Sequence, residues 1–214
     1  VLGAARAPFP GTTAFSSFSL QAKASGAKAI GLANGGNDAV NCIKQAAEFG
    51  IMKGGQKVAG MLLLINDIHG MGLEAGQGVL LTEPYYWNLN DGTRAYAARY
   101  EKLMPGTKPN TVQAGQYSAV THYLKAVKAL GVDKAKASGR ATMEQMKAMP
   151  TDDALFGKGS IRPDGRKIHE MHLFEVKSPA QSKGPWDYYN HKKTVPAAEA
   201  FRPLTANVCP MVKA

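Results

Sequence analysis

A chain of 214 residues that is 44% hydrophobic and 20% charged has enough apolar material for a packed core, which excludes wholesale disorder, and no apolar run approaches the ~20 residues that span a bilayer. The formal charge of +10 invites a nucleic-acid reading, but Lys and Arg are spread from Arg6 to Lys213 and no RNP, zinc-finger or arginine-rich motif accompanies them. We therefore read a solvated basic surface and no nucleic-acid partner. The two cysteines, Cys42 and Cys209, are far apart and neither belongs to a CxxC pair, which removes the common zinc and thioredoxin patterns and leaves their pairing open. The first residue is Val1, and residues 1–10 lack the basic-then-apolar order of a secretory signal, so a processed chain or a fragment is expected.

The first third alternates helical and strand patterns. Phe15, Phe18 and Ala22 recur at helical spacing with Gly26 as a stop, and Ala29–Ala33 reads as a short buried strand. A second helix, capped by Asn37 and Asp38, carries Val40, Ile43, Ala46 and Ala47 on one face until Phe49-Gly50. The nearly unbroken apolar run Val58–Ile65 predicts a strand covered on both faces, and Gly78–Thr82 predicts another beyond a Gly-rich passage. Helix and strand alternating in this way predict an α/β fold with a parallel sheet and right-handed crossovers.

After Pro84 and the aromatic Tyr85-Tyr86-Trp87, two helices follow without an intervening strand. One starts at Asp91 and presents Tyr96, Tyr100 and Leu103; the next, Thr111–Leu130, presents Tyr117, Val120, Leu124 and Val127. Such stripes need something to cover. A third, shorter helix holds Met143 and Met146 before Pro150. Ser160–Arg162, the turn Pro163-Asp164-Gly165 and Lys167–Val176 predict a hairpin, and Tyr188–Val195 an edge strand.

Two loops carry the candidate chemistry. Asn34, Gly35, Gly36, Asn37 and Asp38 stand between a strand and a helix, where glycines let the backbone approach a ligand and a helix N-terminus offers free N–H groups. The same residues also suit a tight turn with a helix cap. Asn66, Asp67 and His69 follow the second strand and can hydrogen-bond a ligand, or serve as a cap and a surface histidine. Tyr86 and Trp87 can stack on an apolar or aromatic ligand, or pack between domains. His169 and His172 fall on opposite faces of the hairpin strand, which disfavours chelation, and no metal or cofactor is expected. GxGxxG, Walker, GxSxG, Cys/His and paired-carboxylate patterns are absent, so the chain does not read as an enzyme.

With these segments placed, the chain resembles the type I periplasmic solute-binding proteins of branched-chain amino acid and aromatic acid ABC importers, over most of residues 10–178 and as the carboxy-terminal portion of such a protein. Gly11-Thr12-Thr13-Ala14-Phe15-Ser16-Ser17-Phe18 looks like the start of a second-lobe helix in that family, and Ala27–Ala33 like the strand before its ligand-facing loop. Ile43-Lys44-Gln45-Ala46-Ala47-Glu48-Phe49-Gly50 resembles its I-x-Q-A-x-E-x-G helix, with further matches at Gly78–Thr82 and Tyr117–Val120. Lys183–Tyr189 and Cys209-Pro210 look like the branch associated with aromatic acids.

The resemblance implies two α/β lobes joined by three crossover strands, with a small solute held in a cleft closed by hinge motion. Residues 1–84 would be the second-lobe α/β portion. Residues 85–150 would supply a crossover at Tyr85–Asn88 and helices covering a missing amino-terminal lobe, and 151–214 the hairpin, return crossover and tail, belonging to the interlobe and first-lobe region. The implied function is the periplasmic, solute-capturing component of an ABC importer, with importer membrane subunits as partners. Asn34–Asp38 falls on the cleft-lining loop; Gly35 stands where leucine-type binders have an aromatic, and the apolar Met61–Ile65 where an acid would meet an α-ammonium. An apolar or aromatic carboxylate, or a branched-chain amino acid, is the implied solute. A ligand-sensing receptor domain of the same fold and an α/β enzyme with an unrecognised site are the alternatives.

Overall fold

The computed structural model describes residues 1–8, 12–206 and 212; Gly11 and Cys209-Pro210 lie outside these. In chain order the elements are α1 (Ser16–Ala24), β1 (Ala29–Leu32), α2 (Gly36–Glu48), β2 (Lys57–Gly60), α3 (Ile65–Met71), α4 (Leu73–Gly76) and β3 (Leu80–Glu83). There follow α5 (Asp91–Leu103), α6 (Thr111–Leu130), α7 (Val132–Ala137) and α8 (Gly139–Ala148). Strands β4 (Thr151–Asp153), β5 (Gly157–Ile161), β6 (Lys167–Ile168), β7 (Met171–Val176) and β8 (Tyr189–Val195), with α9 (Ala197–Ala200), complete the set. The fold is α/β, as the alternation predicts. Five strands form one sheet in the order β1-β2-β3-β7-β8, and three form another in the order β4-β5-β6. No described helix is long and apolar enough to cross a membrane.

The chain divides into two compact units, Val1–Thr82 with Leu173–Lys193, and Glu83–His172 with Thr194–Ala214. It passes from one to the other three times, at 82–83, 172–173 and 193–194, each time within a strand (β3, β7 and β8). The first passage precedes Tyr85–Asn88, which follow it in unit 2.

Unit 1 is organised by parallel pairing. β1 and β2 run parallel from Ala29↔Lys57 to Leu32↔Gly60, and β2 pairs parallel with β3 at Ala59↔Leu80 and Gly60↔Leu81. Helix α2 buries Ala39, Cys42, Ile43 and Ala46, the i, i+3, i+4, i+7 stripe that an amphipathic helix turns to a sheet. The core includes Phe15, Ile43, Ile51, Val58, Ile65, Ile68, Val79, Leu81, Phe174 and Val176. Each large apolar side chain removed from water there contributes on the order of 1.5–3 kcal/mol.

The apolar run at 58–65 is not one strand. β2 ends at Gly60, where a Cβ would lie 2.9 Å from the Cβ of Leu63, so the chain folds back on itself through a gap only glycine leaves. Met61–Leu64 form a loop, and α3 begins at Ile65. Val58, Leu63 and Ile65 of the run are buried without one continuous strand, while Met61 and Leu62 stay exposed. Likewise α2 starts at Gly36, with Gly35 at the cap position, so Asn37 and Asp38 lie inside the first turn and are not caps. The expected second hairpin strand is divided, because β6 pairs with β5 at Ile168 and Lys167 while β7 joins the five-stranded sheet; His169 falls between them.

In unit 2, asparagines set the helix starts. The side-chain oxygen of Asn90 accepts from the Thr93 N–H at 3.0 Å, and that of Asn110 from the Val112 N–H at 2.8 Å, which satisfies orphan donors of α5 and α6. Tyr85, Tyr96, Ala114 and Leu155 form a buried cluster with Trp87 and Phe156 against it. Helix α6 buries its small and polar face, Ala114, Ser118, His122 and Ala126, and leaves Tyr117, Val120 and Leu124 exposed. The Ser118 hydroxyl donates to Asp153 Oδ2 at 2.6 Å, and Lys167 Nζ donates to that same oxygen at 3.1 Å and to Ser118 Oγ at 2.7 Å. The N–H groups of Leu155 and Phe156 fill Asp153 Oδ1, each at 2.9 Å. The carboxylate thereby ties α6 to β4 and β6.

Burial pushes the Asp153 carboxyl up, but the Ser118 hydroxyl, the two N–H groups and the Lys167 ammonium outweigh it and hold the group below its ordinary value. Asp153→Asn should therefore cost about 1–3 kcal/mol near neutral pH. A depressed folded-state pKa stabilises above the unfolded value of about 4 and is lost as pH falls through the folded value, so the melting-temperature gap between wild type and variant should narrow in acid. A gap independent of pH would contradict this assignment. The Tyr85 hydroxyl is buried without a hydrogen-bond partner among the described residues, so Tyr85→Phe should raise stability by up to about 1 kcal/mol in denaturant titration; a loss would show a partner the structure lacks.

Candidate functional site

Parallel pairing puts the carboxyl ends of β1 and β2 side by side, and the Met61 N–H donates to the Leu32 carbonyl at 3.0 Å, continuing the ladder to the rim. The loop 33–35 leaving β1 and the loop 61–64 leaving β2 therefore open next to each other. They lie close: a Cβ on Gly35 would be 2.7 Å from Leu62 Cδ2, so a larger residue there would have to push that exposed side chain aside. Met61 and Leu62 are 67% and 61% exposed, large apolar side chains standing in solvent at the rim.

Gly35 brings no side-chain cap to α2, so the first-turn N–H groups of this 13-residue helix point toward the rim with the partial positive charge of its dipole. Asn34 is held by its amide, which donates to Cys42 Sγ at 3.2 Å; its side-chain oxygen is buried without a partner among the described residues. Burial pushes the Cys42 thiol up, against the Asn34 hydrogen bond and with a smaller upward push from Asp38, which keeps it a neutral core group.

The other expected residues are engaged differently. Asp67 Oδ2 accepts from the Leu64 N–H at 2.8 Å and fixes the start of α3, while Asn66 is exposed on that helix. His69 Nδ1 is 2.7 Å from the Tyr188 hydroxyl, and its ring stacks on Trp186 at 4.0 Å with an interplanar angle of 6°. Trp186 has φ 68°, a left-handed backbone that a bulky residue adopts at a cost, held by Asp187, whose carboxylate accepts from Lys177 Nζ at 2.6 Å and the Lys183 N–H at 2.9 Å. In unit 2, Tyr86 is buried with its ring 5.9 Å from that of Trp87, and Lys108 Nζ lies 4.9 Å from the Trp87 centroid.

The structure thus brings Gly35 against Leu62 of the 61–64 loop, keeps Asn34 on Cys42 and Asn37 and Asp38 in the first turn of α2, and sets His69 into an aromatic stack. Met61 and Leu62 were hidden by the unbroken apolar run. Gly60 followed by Leu64-x-x-Asp67, a backbone N–H with an acid three residues on, was the available signal of a helix start. Among the described residues no three His, Cys, Asp or Glu side chains gather as a metal site.

The rim of parallel strands, the three passages and the two units can be set beside known proteins. No curated protein matches the chain. A periplasmic binding protein from Burkholderia mallei is 46% identical with a TM-score of 0.82, over 95% of this chain and 52% of its own. A branched-chain amino acid ABC transporter periplasmic ligand-binding protein from Burkholderia xenovorans is 40% identical with a TM-score of 0.85, over 98% of this chain and 55% of its own. A solute-binding protein of an ABC transporter from Rhodopseudomonas palustris, in complex with 3,4-dihydroxybenzoic acid, is 25% identical with a TM-score of 0.67, over 86% of this chain and 49% of its own. The chain spans about half the length of each of these structures. The profile of the periplasmic binding protein family matches residues 1–185, and the chain belongs to that family.

Proposed function

We propose that this chain is part of the solute-capturing component of an ABC importer, acting in the periplasm on a small apolar or aromatic carboxylate by non-covalent binding and not by catalysis. One observation carries the reading: the β1 and β2 loops meet at the carboxyl ends of parallel strands, the rim where open α/β sheets hold ligands. The α2 N-terminus with its uncapped N–H groups suits a carboxylate. An α-ammonium is less well served, since Asp67 already accepts from the Leu64 N–H. The aromatic-acid complex of the Rhodopseudomonas palustris protein supports the same ligand class.

The importer's membrane subunits are the partners proposed for delivery. The exposed Tyr117, Val120 and Leu124 of α6 support a further partner, an amino-terminal lobe that would bury this stripe. A helix that turns Ala, Ser and His inward and Tyr, Val and Leu to water gains by such a cover on the order of 1.5–3 kcal/mol per large side chain. The 214-residue chain alone should bind benzoate, 4-hydroxybenzoate and leucine no more tightly than about 1 mM in calorimetry. The same chain preceded by an amino-terminal lobe should bind one of the two benzoates in the range of about 1–100 μM. Micromolar binding by the 214 residues alone, or binding of leucine in preference to both benzoates, would contradict the proposal.

A further inference from the structure

We propose that the segment following β8 is a pH-sensitive strap, clamped onto the small sheet of unit 2 through Phe201 in neutral solution and loosened in mild acid, with His169 as its sensor. The strap begins just after the last passage between the units, runs through α9 and meets the region of the β5–β6 hairpin at two points. Phe201 stands edge-on to the His169 ring, with centroids 5.3 Å apart and an interplanar angle of 87°, and the Arg166 guanidinium lies 5.9 Å from the Phe201 centroid. One residue on, the Arg202 carbonyl accepts from Arg162 Nη1 at 2.8 Å, while the same guanidinium donates to both oxygens of Asp164 at 3.1 and 2.6 Å.

His169 is 9% exposed and has a second ring against it, that of Phe156 at 5.4 Å. Its Nδ1 is 2.7 Å from the Glu170 carbonyl, and a carbonyl only accepts, so Nδ1 carries the proton and Nε2 is the nitrogen that takes up another in acid. That uptake places a cation in an enclosed aromatic site. Burial opposes the charge most; the Glu170 carbonyl favours it, Lys167 opposes it, Asp153 favours it and Arg166 opposes it, and the balance holds His169 below its ordinary value. Asp153 helps little, because Ser118, Lys167 and the N–H groups of Leu155 and Phe156 already engage both of its oxygens. The strap itself carries Glu199 and Arg202, and β7 carries His172, whose Nδ1 is 3.1 Å from the Thr194 hydroxyl.

The docked strap keeps the imidazole neutral, whereas lifting Phe201 away lets water reach it and restores its ordinary affinity for protons. Docking is therefore complete above about pH 6.5 and weakens as pH falls through that value towards the lower one of the docked state. The coupling is reciprocal, so removing the strap must make His169 easier to protonate.

The test is NMR of the full 214-residue chain between about pH 4.5 and 8, following the His169 ring and the backbone dynamics of residues 199–205. Wild-type His169 should titrate below free histidine, and the strap amides should lose order over that same transition. Phe201→Ala should move the His169 titration up, each unit of that rise meaning about tenfold weaker docking on the protonated protein. In His169→Asn the order of the strap should no longer vary across this range. An unchanged His169 titration in Phe201→Ala, or a wild-type strap equally ordered at both ends of the range, overturns the proposal. So does pH-dependent order that survives in His169→Asn, which would move the sensing to His172 or another group. If His169→Asn does not fold, the titration in Phe201→Ala decides alone.

Discussion

The parallel register of β1 against β2, Ala29↔Lys57 through Leu32↔Gly60, is the constraint on which the rest depends. Parallel strands must be joined by a crossover, here α2 on the face of the sheet, and so both strands end at the same rim. Two loops that are about 30 residues apart in sequence consequently emerge in contact. A slip of one residue would turn Val58 out of the core and separate Gly35 from Leu62. The chemistry of the rim follows from that register: backbone N–H groups from α2, an amide locked by Cys42, and two bare apolar side chains.

Unit 2 follows a different logic. Its aromatic cluster around Tyr85 and Tyr96, and the Ser118–Asp153–Lys167 network, hold α6 against the small sheet by its narrow face. Ala114 and Ala126 allow close packing there, while the wide apolar residues point away. On the other face Val120 and Leu124 stay exposed, and Tyr117, also exposed, has its ring 5.0 Å from that of Tyr96. The seven-residue β8, the six-residue β7 and the four-residue β3 each contain a passage between units, so the connection is threefold and made of extended backbone.

Much of this was legible in the residues, because local chemistry and tertiary role agreed. Asn90 and Asn110 are strong caps, and α5 and α6 begin one residue after them as expected, with α6 running over the full Thr111–Leu130. The α2 helix was readable from its period, but its buried stripe only in part: Ile43 and Ala46 are buried as expected, with Ala39 and Cys42 rather than Val40 and Ala47 beside them. The failures come where one residue type serves two purposes. In 58–65 the apolar side chains belong to a strand, a loop and a helix in turn, and periodicity does not separate them; the close approach of Leu63 to Gly60, a three-dimensional fact, does. Asn37 and Asp38 look like caps, yet Gly35, close beneath Leu62, takes the cap position and the two polar residues fall inside the first turn. Asp67 and His69 read either as ligand groups or as a cap and a surface histidine; Asp67 accepts from the Leu64 N–H at the start of α3, and the exposed His69 stacks on Trp186, more than 110 residues later, a partner the local sequence does not show.

If the rim of β1 and β2 is where the importer's solute is held, a crystal structure of the intact protein loaded with benzoate or 4-hydroxybenzoate tests it most directly. The account predicts electron density for the carboxylate at the N–H groups that open α2, at the rim of β1 and β2. Density for the ligand away from that rim, with the N–H groups at Gly36 and Asn37 left to solvent, would contradict it.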